Sequence, residues 1–180
     1  MAFDRWRKLA RGGEAEMGEE SPLNGKVVLV VDDEPDVLDT VEETLSMCEV
    51  QKAGDFDTAL SLIEKNTYDL VILDIMGVRG FELLQHAVAR GFLTVMLTAH
   101  AATTESLRKS IKLGAASFLP KEYMAELKAV LEDILSGKGT RLWWRKSFDR
   151  TDRYFSQALG SDWKEKDAFF KEFEERLKRE

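Results

Sequence analysis

Cysteine is almost absent from this chain of 180 residues: Cys48 stands alone. That excludes an internal disulfide, a thiolate zinc site and an iron–sulfur cluster, and leaves Cys48 to be read as a small buried hydrophobe. Long apolar runs are missing as well. The longest, Val27 to Val31, falls far short of the roughly 20 residues that a bilayer crossing needs. No apolar signal core follows the arginine-rich start, so the chain is expected to be soluble and cytoplasmic, with no membrane span. Positive charge is in deficit. The 26 Lys and Arg stand against 33 Asp and Glu, a net charge of −7, which argues against whole-surface attraction to nucleic acid. The two histidines, His86 and His100, have no carboxylate or histidine at metal spacing around them and read as helix-surface and loop residues.

What is present is unevenly distributed. Residues 1–25 carry 4 basic and 5 acidic groups, residues 26–136 carry 10 and 19, and residues 137–180 carry 12 and 9. Nine of the seventeen aromatics fall in that last stretch, so the chain divides into three segments. In the first, Phe3, Trp6, Leu9 and Ala10 alternate with basic residues over too short a stretch to hold a helix alone. The Gly- and Glu-rich run from Gly12 to Gly25 reads as a linker, and the whole segment is expected to be flexible.

From Lys26 onward, short apolar runs alternate with amphipathic stretches. The runs are VVLVV (from Val27), EVQKA (around Val50), DLVILD (from Asp69), FLTVML (from Phe92) and SFLP (from Ser117). Between them, apolar residues recur three and four apart: Val37, Leu38, Val41 and Leu45; Ala59, Leu60 and Ile63; Phe81, Leu84 and Val88; Leu107 and Ile111; then Met124, Leu127, Val130, Leu131 and Ile134. Strict alternation of strand and helix specifies an α/β fold. Its parallel five-stranded sheet is covered on both faces, because parallel strands need crossovers and all-apolar strands must be buried twice.

In a doubly wound sheet of order 2-1-3-4-5, ligands bind at the carboxyl ends of the strands where the order reverses. Acids stand there twice: Asp32 and Asp33 after the first strand, Asp74 at the end of the third. Three converging carboxylates repel one another unless a hard cation neutralises them, and Mg²⁺ is the natural choice because it keeps waters and takes one or two carboxylates. Thr98 and Lys121 close the fourth and fifth strands. A carboxylate nucleophile, a cation, a hydroxyl and an ammonium are what phosphoryl transfer onto an aspartate requires. Asp33 followed by Pro35 also fits a plain helix N-cap, which accounts for one acid and not three.

The segments VVLVVDDEPDVLDTVEETL, DLVILDIMG, VMLTAHA and ASFLPKE resemble the receiver domain of bacterial two-component response regulators, over residues 26–136. The resemblance implies a flavodoxin-like fold, with Asp74 as phosphoacceptor. Asp32, Asp33 and the backbone carbonyl of Met76 would join Asp74 around Mg²⁺, Thr98 and Lys121 would engage the phosphoryl group, and Phe118 would be the aromatic switch residue. It also implies a histidine kinase or phosphotransfer protein as donor, and output through the fourth helix, fifth strand and fifth helix. The sequence departs from the family in three places. The loop from Asp74 to Gly80 is shorter and lacks a proline after Met76, with a third helix that looks clipped; Lys121 is followed by Glu122 rather than proline; Phe118 has no hydroxyl.

After residue 136 a second pattern begins. Trp144, Phe148, Phe155 and Leu159 share one helical stripe, Gly160 supplies a stop, and Trp163, Phe170, Phe173 and Leu177 share another. These define an α-helical hairpin over residues 137–180 that is too small to bury its aromatics alone. It is expected to dock on the receiver, on a second copy in a homodimer, or on another protein. Basic and aromatic residues interleave in RLWWRKSFDR as on nucleic-acid surfaces, but the second helix alternates acids with bases and there is no third helix for a helix-turn-helix, so nucleic-acid binding is not expected. The resulting expectation is a phosphorylation-dependent switch rather than a metabolic enzyme, relaying its signal to an unknown downstream protein. A receiver-like scaffold that is never phosphorylated and a transcription regulator with an unusual tail are the rival readings.

Overall fold

The structure, a computed structural model, describes residues 20–99, 103–136 and 140–179, apart from the side chains of residues 140–143, 147, 148, 150 and 151. Five strands, β1 (Val27–Val31), β2 (Glu49–Ala53), β3 (Leu70–Asp74), β4 (Leu93–Thr98) and β5 (Ser117–Pro120), form one parallel sheet in the order β2-β1-β3-β4-β5. The expected order and fold class are those observed. Period-two alternation sends Leu29, Val31, Val71, Leu73, Met96 and Phe118 to one face, and Val28, Val30, Leu70, Ile72, Val95, Leu97 and Leu119 to the other.

Helices α2 (Phe56–Lys65), α3 (Gly80–Ala89) and α4 (Thr104–Lys112) cover the first face; α1 (Pro35–Thr44) and α5 (Leu127–Leu135) cover the second. Local chemistry sets their starts. Pro35 opens α1, where a missing N–H costs nothing. Asp55 caps α2 by accepting from the Thr58 N–H at 2.8 Å. At α4, Thr103 and Ser106 bond reciprocally in a capping box. Strand β2 lies at an edge and exposes charge there, with Lys52 paired to Asp39 and Glu42.

Two expectations need correction. The linker expected to run free through residue 25 is anchored from residue 20 onward. Leu23 is fully buried against α1 and α5, Ser21 donates to Glu132 at 2.7 Å, and the Gly25 N–H donates to the Met47 carbonyl at 2.9 Å. An isolated leucine in a polar run carries no periodicity, so only the tertiary contact reveals it. Nor is the third helix clipped: α3 runs for ten residues, as α1 and α2 do.

The carboxyl-terminal segment consists of α6 (Thr140–Leu159), a short α7 (Trp163–Lys166) and α8 (Ala168–Arg179). Gly160, at φ +93, ends α6 in the left-handed region as expected. The second arm is broken at Asp167, whose extended backbone lets one carboxylate oxygen accept from the Phe169 N–H at 3.0 Å while the other pairs with Arg108 of α4. Trp144, Phe155, Trp163, Phe170, Phe173 and Leu177 are all buried in the hydrophobic cluster of the β5–α4 side. The Phe148 side chain lies outside the described residues. The aromatic stripes are therefore consumed against the chain's own receiver, the first of the three docking modes that the sequence left open.

Candidate functional site

Sheet register alone assembles the site. Val31 pairs with Leu73, Asp74 with Leu97 and Thr98 with Pro120, so Asp32, Asp74, Thr98 and Lys121 arrive at one rim from four adjacent strands. Oxygens of Asp32, Asp33 and Asp74 lie within 4.8 Å of one another. Asp32 is fully buried, the Asp74 side chain is 4% exposed, and Asp33 faces solvent. The Lys121 ammonium spans the floor of this pocket, 2.8 Å from Asp32 Oδ2 and 3.1 Å from Asp74 Oδ1. It also pairs with Glu34 at 2.7 Å.

Each group is held by its surroundings. Asp32 Oδ1 accepts from the Glu34 N–H at 3.0 Å. Asp74 Oδ2 accepts from both the Met76 and the Gly77 N–H groups at 3.0 Å, which fixes one oxygen in the loop and leaves Oδ1 toward Lys121. Thr98 donates to the Ala99 carbonyl at 3.2 Å. Burial pushes the Asp32 carboxyl above the usual carboxylate range; the Lys121 ammonium and the Glu34 N–H counter it, and the nearby Asp74 charge adds to the rise. Burial would lower the Lys121 value, but its hydrogen bonds to Asp32, Glu34 and Asp74 outweigh that, so its ammonium is held above the ordinary lysine value.

Four carboxylates face one ammonium here among the described residues, an excess of negative charge that suits a small divalent cation. The donor set fits Mg²⁺: oxygens only, two of the three acids buried and one open to water. Asp32, Asp33 and Asp74 are the side chains that would hold it. Met76 leaves the loop with its side chain 77% exposed and its N–H directed at Asp74. Phe118 lies away from the rim, buried beneath Phe155 with ring centroids 5.8 Å apart.

Three residues that sequence reasoning passed over shape the pocket. Glu34 competes for Lys121. Gly77 makes room for Asp33, since a Cβ there would stand 2.0 Å from Asp33 Oδ1. Gly80 lets α3 close onto the end of β3, since a Cβ there would stand 1.9 Å from the Asp74 carbonyl oxygen. Together with Arg79, a left-handed residue at φ 55 whose guanidinium lies 3.9 Å over the Phe56 ring, these glycines explain how a shortened loop still presents Asp74. Two glycines three residues apart beside a strand-end acid were the signal available in the sequence.

Comparison with known proteins agrees with this geometry. The family model described as the response regulator receiver domain matches residues 28–132. The chain belongs to that family. Among curated relatives, the two-component response regulator ARR11 of Arabidopsis thaliana is 36% identical over 125 residues, 66% of this chain but 24% of that protein. The uncharacterized transcriptional regulatory protein YrkP of Bacillus subtilis is 32% identical over 103 residues, 55% of this chain and 44% of that protein. This chain thus spans less than half the length of either. The solved chemotaxis protein CheY4 of Vibrio cholerae superposes with a TM-score of 0.56 at 27% identity, covering 61% of this chain and 98% of that one. No helix among the described residues is long and apolar enough to cross a membrane.

Proposed function

We propose that this protein is a phosphorylation-dependent signalling switch whose phosphoacceptor is Asp74. The observation that carries the reading is the convergence of three strand-end carboxylates within 4.8 Å, with the Lys121 ammonium 3.1 Å from Asp74 Oδ1. In the transfer, Asp74 Oδ1 forms the new bond to phosphorus while the phosphorus–nitrogen bond of a donor phosphohistidine breaks, its electron pair leaving with the imidazole. The donor is a histidine kinase or phosphotransfer protein, the partner that membership of the receiver family implies. Asp32, Asp33 and Asp74, with the Met76 carbonyl, would hold Mg²⁺, which when bound would supply charge neutralisation for the phosphoryl oxygens. Lys121 contributes a fixed positive charge beside the acceptor, and the Thr98 hydroxyl exchanges its bond to the Ala99 carbonyl for a phosphoryl oxygen. The protein positions and neutralises without turning over a metabolite, so it acts as a switch and not as an enzyme, passing its state to a downstream protein.

Because Asp74 is only 4% exposed, the donor reaches it where the ion pair between Lys121 and the exposed Glu34 parts. Incubation with acetyl phosphate and Mg²⁺ tests the reading by intact mass. The wild type should gain one phosphoryl group and Asp74→Asn none. A wild type that gains nothing under saturating donor would instead be a receiver-like scaffold.

A further inference from the structure

We infer that Glu34 is a specificity-determining residue that selects the class of phosphodonor, favouring donors whose leaving atom is a protonated nitrogen over free acyl phosphates; this rests on the phosphoacceptor reading above. An ammonium has three N–H donors, and those of Lys121 meet three carboxylates: Asp32 at 2.8 Å, Glu34 at 2.7 Å and Asp74 at 3.1 Å. A phosphoryl oxygen can therefore engage Lys121 only by taking the place of one of them. Asp32 and Asp74 are buried and cannot swing out, whereas the Glu34 side chain is 61% exposed. Glu34 is the one that yields.

The side chain is not what holds the start of α1. Glu34 stands at the N-cap with extended backbone, but its carboxylate makes no cap bond. The main chain does that work: the N–H donates to Asp32 Oδ1 at 3.0 Å, and the carbonyl accepts from the Val37 and Leu38 N–H groups at 3.1 and 3.3 Å. A displaced Glu34 carboxylate therefore stays tethered at the mouth of the pocket. In-line displacement puts the leaving atom opposite Asp74 Oδ1, on the outward side of the phosphorus. With phosphoramidate, Oδ1 bonds to phosphorus as the phosphorus–nitrogen bond breaks, and the protonated nitrogen takes the electron pair and departs as ammonia. Until then its positive charge gives the displaced carboxylate a new partner. With acetyl phosphate the phosphorus–oxygen bond breaks and the electron pair leaves on acetate, an anion that must pass the same carboxylate. One donor gains from the Glu34 charge and the other loses by it.

The test measures initial phosphorylation rates of the full chain by intact mass, with Mg²⁺ and either phosphoramidate or acetyl phosphate, for the wild type and Glu34→Gln. The ratio of the phosphoramidate rate to the acetyl phosphate rate should fall roughly 5-fold in the variant, the rate equivalent of one exposed ion pair. A role in folding or in Mg²⁺ binding scales both rates alike, so an unchanged ratio overturns the assignment, as does a ratio that rises. Salt gives an arm without substitution. Raising ionic strength from about 0.01 to 1 M shortens the screening distance from about 30 to 3 Å, which should lower the wild-type ratio toward that of Glu34→Gln and move the variant less. Equal salt dependence of the two ratios also overturns it. Mass gain with either donor leaves the phosphoacceptor reading standing whatever the ratio does; no gain with both overturns that reading and the role of Glu34 with it.

Discussion

Substituting the two loop glycines in turn should separate cation binding from stability. In Gly77→Ala the new Cβ falls on the Asp33 carboxylate, 2.0 to 2.3 Å from its three atoms. That carboxylate is the far end of an exposed side chain, so it swings away at little cost to folding, but it takes a cation ligand with it. Displacing a group that orients a ligand typically lowers metal affinity by roughly 10- to 100-fold, and Gly77→Ala should fall in that range with a nearly unchanged unfolding midpoint. In Gly80→Ala the Cβ meets backbone instead, the Asp74 carbonyl oxygen at 1.9 Å and Ile75 Cα at 3.0 Å. No side chain can yield, so the first turn of α3 must shift; overpacking of this kind costs about 1–3 kcal/mol. Calorimetric Mg²⁺ titration and urea unfolding of both variants measure the two effects. Unchanged Mg²⁺ affinity in a folded Gly77→Ala, or wild-type stability in Gly80→Ala, would refute the account of the shortened loop.

Mg²⁺ should stabilise the fold by about 2.7 kcal/mol at a hundred times its dissociation constant; thermal unfolding with and without chelator shows the rise, and Asp32→Asn should abolish it. Leu23→Ala should cost about 2–5 kcal/mol, as for a buried leucine, whereas a residue in a free linker would cost nothing measurable in urea unfolding. The Thr58 N–H and hydroxyl hold the Asp55 carboxyl below its usual range, so its contribution is present above the unfolded value and fades as pH falls through the lower folded value. The loss of melting temperature in Asp55→Ala should therefore be full at neutral pH and shrink in acid; a deficit that grows in acid would contradict the cap.

The sheet and its rim were legible because they are written locally. The apolar runs at Val27, Leu70 and Leu93 declare buried parallel strands, and an acid, threonine or lysine directly after such a run is placed by the strand end itself. The rest depends on contacts between distant segments. Nothing beside Asp167 announces Arg108, 59 residues earlier, as its partner, so the break in the second arm of the hairpin was invisible. The amphipathic stripes at Trp144 and Phe155 revealed a buried face without saying what covers it. Glu34 carries no local signal of its role, and only the folded rim shows it holding Lys121. Gly77 and Gly80 drew no reading from the sequence, and only neighbouring atoms show that they admit one acid and seat another.

Whether residue 74 takes the phosphoryl group is read most directly by peptide mapping. Protein treated with acetyl phosphate and Mg²⁺ is trapped by borohydride reduction and sequenced by mass spectrometry. Conversion of Asp74 alone, to homoserine, is the expected result, in proportion to the intact-mass gain. Modification at Asp32 or Asp33 with Asp74 untouched, or no modification at all, would contradict it.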